Sequence, residues 1–167
     1  QARREEAAKA GISPQLIEDV LRRFMRESYS NENQFGFKTL NPAINKIVIV
    51  GGYGKMGQLF ARYLRASGYP ISILDRDDWD VAERILTNAD VVIVSVPIDH
   101  TLETIERLKP YLTENMLLAD LTSVKRIPLA KMLDVHKGAV VGLHPMFGPD
   151  IASMAKQVIV RCDGRFS

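Results

Sequence analysis

Gly52-Tyr53-Gly54-Lys55-Met56-Gly57 is a G-x-G-x-x-G run, and its surroundings decide whether it carries chemistry. It follows an apolar stretch, residues 46–50, and opens an amphipathic one, residues 55–66. Asp75 stands 18 positions after Gly57, at the end of the next apolar stretch. Strand, glycine loop, helix, strand and acid, in that order, are the parts of a dinucleotide site. Gly52 permits a tight turn, Gly54 lets the backbone approach a pyrophosphate, and Gly57 lets the helix pack closely on the strand. The diphosphate then meets free N–H groups and the positive end of the helix dipole. Tyr53, Lys55 and Met56 go with the loop to the cofactor. Asp75 would accept hydrogen bonds from ribose hydroxyls and repel a 2′-phosphate, which favours NAD over NADP, although Arg76 beside it could hold that phosphate. The plain alternative is a structural turn with a solvated surface aspartate.

Ligands of an open parallel sheet bind beyond the carboxyl ends of its strands. The residues that each apolar run delivers there are therefore informative. Residues 91–94 deliver Ser95-Val96-Pro97, whose proline would stop the strand and turn the chain around a cofactor. Residues 116–121 deliver Thr122-Ser123, followed by Lys125, and residues 139–143 deliver His144-Pro145-Met146-Phe147-Gly148-Pro149. The His144 imidazole can take a proton from a substrate hydroxyl near neutral pH while hydride leaves the same carbon. Ser123 could hydrogen-bond that hydroxyl or orient the ring. A histidine beside proline is also a common structural residue, and position alone leaves both readings open. His100 and His136 read as surface residues, Trp79 and the methionines as core or helix-face packing. Lys125-Arg126 could meet an anionic substrate or simply begin a solvated helix. No two histidines or carboxylates have metal-ligand spacing, so no metal is expected.

The elements that must position these groups fall into two unequal parts. Ser13-Pro14 caps and opens a helix. Leu16, Ile17, Val20, Leu21, Phe24 and Met25 then recur at helical spacing, predicting a helix over residues 14–29. Residues 2–10 read as the end of another helix closed by Gly11. This apolar stripe either packs on the following domain or belongs to a helical domain beginning outside the chain. The polar run 30–36 and Asn41-Pro42 read as a linker, placing a boundary near residue 43. Strands are then predicted at 46–50, 71–74, 91–94, 116–121, 139–143 and 157–161. Helices are predicted at 55–66, 79–86, 101–108 and 128–133. Near-continuous Val/Ile/Leu runs joined by helices indicate an α/β fold, a Rossmann-like, doubly wound, mostly parallel sheet.

Composition closes off other classes. The 167 residues carry 22 Lys and Arg against 20 Asp and Glu, a formal charge of +2, too even for a polyanion-binding surface. At 46% hydrophobic residues the chain is too apolar for intrinsic disorder. No run approaches 18 apolar residues, so nothing is expected to span a membrane. The start at Gln1 has no apolar segment of a signal peptide. The single cysteine, Cys162, cannot form an internal disulfide or a multi-cysteine zinc site. It reads as a small apolar filler near a strand end, and a reducing, cytoplasmic setting fits.

Ile49-Val50-Gly51-Gly52-Tyr53-Gly54-Lys55-Met56-Gly57, with Val94-Ser95-Val96-Pro97, Asp120-Leu121-Thr122-Ser123-Val124-Lys125 and Leu143-His144-Pro145-Met146-Phe147-Gly148-Pro149, resembles the prephenate dehydrogenase family. The Ser-Val-Lys and His-Pro-Met-Phe-Gly blocks are more specific than the glycine loop. Residues 16–25 followed by Arg26-Glu27-Ser28-Tyr29-Ser30 are similar to the last mutase helix in the bifunctional chorismate mutase/prephenate dehydrogenases of tyrosine biosynthesis. The resemblance implies NAD as cofactor, prephenate as substrate, and oxidative decarboxylation to 4-hydroxyphenylpyruvate. It implies that His144 accepts a hydrogen bond from the substrate hydroxyl and that Ser123 contacts both hydroxyl and nicotinamide. Ser28 and Glu32 match positions lining the chorismate pocket, where a protonated Glu32 would donate to the ether oxygen. Residues 1–40 would then be the end of a mutase domain plus linker, and residues 44–167 the NAD-binding domain. A helical C-terminal domain, which in the family mediates homodimerisation and supplies an arginine to the substrate, would be absent. The expectation is a fragment that binds NAD and turns over prephenate poorly. An arogenate or hydroxyacid dehydrogenase and a non-catalytic NAD-binding or interaction module are the alternatives.

Overall fold

The computed structural model describes residues 41–166, together with residues 15–16 and 19–22. Its strands are β1 (Ile47–Val50), β2 (Ile71–Leu74), β3 (Val91–Val94), β4 (Leu117–Asp120), β5 (Val140–Pro145) and β6 (Ile159–Arg165). Between them run α1 (Lys55–Ala66), α2 (Ala82–Leu86), α3 (Ile98–Leu108) and α4 (Arg126–Val135). The strands make one sheet in the order β2-β1-β3-β4-β5-β6. The first five are parallel, and β6 runs antiparallel to β5.

Alternation along each strand divides the core in two. Ile47, Ile49, Val91, Ile93, Leu117 and Ala119 point to one face, against Phe60, Ala61 and Leu64 of α1. Val48, Val50, Val92, Val94 and Leu118 point to the other, against Leu86, Ile105, Leu108, Met132 and Val135 of α2, α3 and α4. The chain therefore winds one way from β1 to β2 and the other way from β3 onward, as a doubly wound sheet must. Burial on both faces is why β1 and β3 are unbroken Ile and Val. Among the described N-terminal residues, Val20 and Leu21 are helical and buried in the first of these cores. No helix among the described residues is long and apolar enough to cross a membrane.

Residues 55–66, 71–74 and 91–94 form the predicted helix and strands with the same ends. Gly68 closes α1 at φ +86°, with its N–H donated to the Arg65 carbonyl and that of Tyr69 to the Leu64 carbonyl, a Schellman stop. Elsewhere the ends move for local reasons. Pro97 caps α3, and its carbonyl accepts from His100 N and Thr101 Oγ1, so that helix starts at Ile98 rather than residue 101. Pro128 lies in the first turn of α4, where a missing N–H is tolerated, so that helix starts at Arg126. The last strand starts and ends later than 157–161 and runs antiparallel. Residues 146–158, which join it to β5, contain no helix to carry the chain back across the sheet.

His136 corrects the sequence reading: it is buried, not on the surface, with 2% of its area exposed. It follows α4, and its Nε2 donates to the Met116 carbonyl at 2.8 Å. Arg165 binds the His136 carbonyl at 2.5 Å, with Leu133 and Gly138 carbonyls beside it. Burial is the main force holding the imidazole below its ordinary pKa of 6.5. The Met116 bond and Glu114 oppose that shift, and Arg165 adds to it. Because the folded value is the lower one, the unfolded chain binds the extra proton as the solution turns acidic. Stability contributed by neutral His136 is therefore complete above pH 6.5 and lost as pH falls below it. Urea unfolding from pH 8 to pH 5 should show this loss, and His136→Gln, which keeps a donor, should flatten the slope below pH 6.5.

Candidate functional site

The chain leaves β1 through two adjacent glycines with different duties. The left-handed turn falls on Gly51, at φ +78°, and not on Gly52, to which the sequence reading gave it. A Cβ at Gly51 would also stand 2.5 Å from the Ser95 carbonyl oxygen at the end of β3. Gly52 is required for a separate reason: a Cβ there would overlap the Ile73 side chain of β2. At Gly57 a Cβ would come within 2.5 Å of the Gly51 carbonyl oxygen and 2.7 Å of the Gly52 Cα. The first turn of α1 thus lies directly on the turn that precedes it.

That contact aims the helix start at the strand ends. Gly54 is the N-cap of α1; it offers no side chain to the first turn, and that turn contains no acidic residue. The leading amides are left for an external acceptor, at the positive end of the dipole. Gly54 and Lys55 are exposed, Met56 is half-buried and Gly57 is buried. Tyr53 is 65% exposed beside them. Its backbone N–H donates to Asp75 Oδ2 at 3.0 Å, and Gln58 Nε2 donates to its carbonyl at 2.7 Å. Asp75 Oδ1 accepts from the Arg76 N–H at 2.8 Å. A carboxylate has about four acceptor positions, so two remain for hydroxyl donors.

A cavity of about 630 Å³ gathers most of these groups. It is lined by Gly51, Tyr53 and Gly54, by Asp75 and Arg76, and by Ser95, Val96 and Pro97. Space, free amides and a hydroxyl-accepting acid together fit a dinucleotide. The cavity also holds residues the sequence reading left out: Trp79, His100, Glu103, Thr104 and Arg107. Arg107 lays its guanidinium 4.0 Å from the ring centre of Trp79, which packs against the core under α2, α3 and α4, as expected, and also forms part of the cavity wall. The spacing of His100, Glu103 and Arg107, one helix face starting three residues after Pro97, was the available signal. His100 is exposed, as expected of it.

Ser123 and His144 do not line this cavity. They lie farther along the same sheet edge, on neighbouring strands whose last paired residues are Asp120 and Gly142. Ser123 is exposed in the loop after β4, and His144 is half-buried near the end of β5. From β3 to β5 is two strand spacings, roughly 10 Å, a distance an extended dinucleotide spans. Met146 is 58% exposed rather than packed. Ser28 and Glu32 lie outside the described residues.

Lys125 is neither an anion contact nor a solvated helix start. Its side chain is 12% exposed, and Nζ pairs with Asp120 Oδ2 at 2.6 Å and donates to the Leu143 carbonyl at 2.7 Å. Burial pushes its ammonium below the ordinary lysine value, and the Asp120 carboxylate acts in the opposite direction. Arg126 is exposed at the start of α4. Cys162 is half-buried and faces Gly142 across the β5–β6 pairing.

Comparison with known proteins now bears on this geometry. The model of the prephenate dehydrogenase nucleotide-binding domain matches residues 65–159. The chain belongs to the prephenate dehydrogenase family. It is 86% identical over 166 residues to the T-protein of Haemophilus influenzae, covering 99% of this chain and 44% of that protein. It is 57% identical over 164 residues to the T-protein of Enterobacter agglomerans, with 98% and 44% covered. The chain thus spans less than half the length of these curated relatives. Among solved structures, prephenate dehydrogenase from A. aeolicus, in complex with hydroxyphenyl propionate and NAD+, superposes with a TM-score of 0.60 at 22% identity, covering 74% of this chain and 51% of that one. Synechocystis arogenate dehydrogenase gives 0.56 at 22% identity, with 71% and 51% covered. At that identity these two structures establish the fold alone: a Rossmann-like sheet of mostly parallel strands.

Trp79 is the chain's single tryptophan and stands in the cavity wall, so nucleotide binding should change its fluorescence. Asp75→Asn should weaken NAD binding about tenfold, the loss of roughly one hydrogen bond to a charged acceptor, and narrow the preference over NADP. Fluorescence titrations with both nucleotides measure both effects. Unchanged dissociation constants would remove Asp75 from the ribose.

Proposed function

We propose that this chain is the NAD-binding part of a dehydrogenase that oxidatively decarboxylates prephenate to 4-hydroxyphenylpyruvate, within an enzyme whose preceding domain converts chorismate to prephenate. The observation that carries the proposal is the coincidence of two things at one sheet edge. The uncapped amides of α1 open beside the cavity lined by Gly54, Asp75 and Ser95, and two strands beyond β3 His144 stands next to last on β5. A hydroxyl-oxidising enzyme needs both parts, a dinucleotide site and a side chain that accepts the hydroxyl proton.

In this reading the α1 amides and Asp75 hold the diphosphate and the ribose, and Ser95-Val96-Pro97 pass along the cofactor. NAD, when bound, supplies the acceptor for hydride. His144 accepts a hydrogen bond from the ring hydroxyl of prephenate and takes its proton as the carbon bearing it is oxidised. Loss of carbon dioxide then makes the ring aromatic, and the proton returns to the phenolic oxygen. Ser123, on the adjacent loop, contacts the same hydroxyl. Residues 1–40 are assigned to the end of the mutase domain and its linker, with Ser28 and Glu32 in the chorismate pocket. The identity to the T-proteins, extending over 99% and 98% of the chain, supports that assignment. Homodimerisation, a role in tyrosine biosynthesis and a cytoplasmic setting belong to the same proposal.

The deciding measurement uses the enzyme at the full length of these relatives. His144→Asn should leave NAD binding within about twofold and lower prephenate turnover by about 10²- to 10⁴-fold, the range for a general base. Undiminished turnover would take His144 out of the chemistry. Turnover of arogenate at a rate equal to or above that of prephenate would reassign the substrate. Nucleotide binding with no turnover of either by the unsubstituted enzyme would leave a binding module.

A further inference from the structure

The ladder between β4 and β5 stops at Asp120 and Gly142, and past those residues side chains take over from strand pairing. There the Leu143 carbonyl accepts from Lys125 Nζ at 2.7 Å. The same ammonium reaches Asp120 Oδ2 at 2.6 Å and lies 3.5 Å from the Asp120 carbonyl. Its three donors thus face three oxygens at the place where the two strands part. The Leu143 carbonyl belongs to the peptide that enters His144, so fixing it fixes the plane from which the imidazole departs. On its other side His144 is held by pairing with Val160 of β6.

Asp120 acts on the serine loop as well. Its Oδ2 accepts from the Thr122 N–H at 3.1 Å and from Thr122 Oγ1. Thr122 Oγ1 also reaches the Val124 carbonyl at 2.9 Å. Ser123 therefore sits between Thr122, which is tied to Asp120, and Val124, whose carbonyl lies within reach of the Thr122 hydroxyl. The carboxylate is fully buried, and its Oδ1 has no hydrogen-bond partner. So costly a group is kept where burial alone would favour an apolar side chain. Gly142 makes the room: a Cβ there would stand 2.9 Å from Lys125 Cδ and 3.4 Å from Asp120 Oδ1.

We propose that Asp120 is a positioning residue that sets Ser123 and His144 relative to one another, the serine through Thr122 and the histidine through Lys125 and the Leu143 carbonyl. The proposal rests on the dehydrogenase reading of those two side chains. The hydrogen bonds of the Asp120 carboxylate go to Thr122 and Lys125, one step removed from both. The spacing between two loops thus depends on one carboxylate, and misplacement of about 1 Å can cost a reaction about 10²-fold.

The test is kinetic coupling in the full-length enzyme, with thermal melting and NAD titration run alongside. Asp120→Asn keeps the volume and removes the charge. It should lower kcat for prephenate about 30- to 100-fold, the scale of a misplaced catalytic group, with NAD affinity within about twofold. In a His144→Asn background the same change should lower the residual rate no more than about fivefold, because part of what it positions is already gone. A purely structural role would melt both backgrounds alike and cost turnover equally in both, and that result overturns the proposal. Gly142→Ala, which presses on Lys125 without altering a charge, gives the same test should Asp120→Asn fail to fold. It should lower kcat more than KM rises, and an unchanged kcat with normal melting would overturn the proposal. If His144→Asn itself leaves turnover intact, the dehydrogenase reading falls and this proposal falls with it. If His144→Asn abolishes turnover and Asp120→Asn leaves it intact, the positioning role alone is lost.

Discussion

Everything at the functional edge depends on how closely three pieces of backbone meet. The end of β1, the first turn of α1 and the end of β3 touch with no side chain between them. A Cβ at Gly51 would press on Ser95 and one at Gly57 on Gly51. Only glycine at these points lets α1 begin where β1 stops. The helix amides then open at the switch point, where the chain turns one way to β2 and the other way to β3. A longer turn, or a side chain in the contact, would lift the helix off the edge and carry its dipole away from Asp75, the residue that follows β2.

The parity that builds the core also decides on which face the polar groups emerge. Leu118 and Val140 belong to the core under α3 and α4. Two positions on, with the same parity, stand Asp120 on β4 and Gly142 on β5, and two beyond Gly142 stands His144. The apolar run thus changes character without changing face. Lys125, from the loop that leads into α4, reaches across the gap in which no further strand pairing is available. The ion pair at this place satisfies the Leu143 carbonyl and one oxygen of the Asp120 carboxylate, so removing one partner would orphan several groups.

Much of this was legible in the chain itself, and the parts that were not share a cause. Strands buried on both faces leave unbroken Val and Ile runs, and helices between them leave an amphipathic period, so β2, β3 and α1 were readable to the residue. The glycine doublet was ambiguous because either residue can take a turn; only the approach of Ser95 and Ile73 distributes the duties. His136 precedes Lys137-Gly138, a polar turn signal, yet the ring is enclosed because Met116 and Arg165, distant in sequence, fold around it. Lys125 looked solvated for the same reason: its partners are Asp120 and Leu143, and only the sheet brings the latter near. Local pattern reports what a segment can form, and long-range pairing determines what its polar groups meet.

The antiparallel return of β6 is the least legible element and has the most direct bearing on His144. Paired with β4 alone, β5 would end at Gly142, as β4 ends at Asp120. Pairing with β6 carries it on through Leu143, His144 and Pro145, opposite Arg161, Val160 and Ile159. Pro145 lacks an N–H to continue the ladder, and the bond from Met146 N–H to the Val158 carbonyl closes it at 2.8 Å. His144 is thereby held in extended backbone beyond the last residue that β5 pairs with its parallel neighbour. A parallel sixth strand would have needed a crossover helix in place of residues 146–158 and would have started at the opposite edge of the sheet. The reversal of one strand is thus what extends β5 past its parallel neighbour and carries His144 beyond the last residue paired with β4.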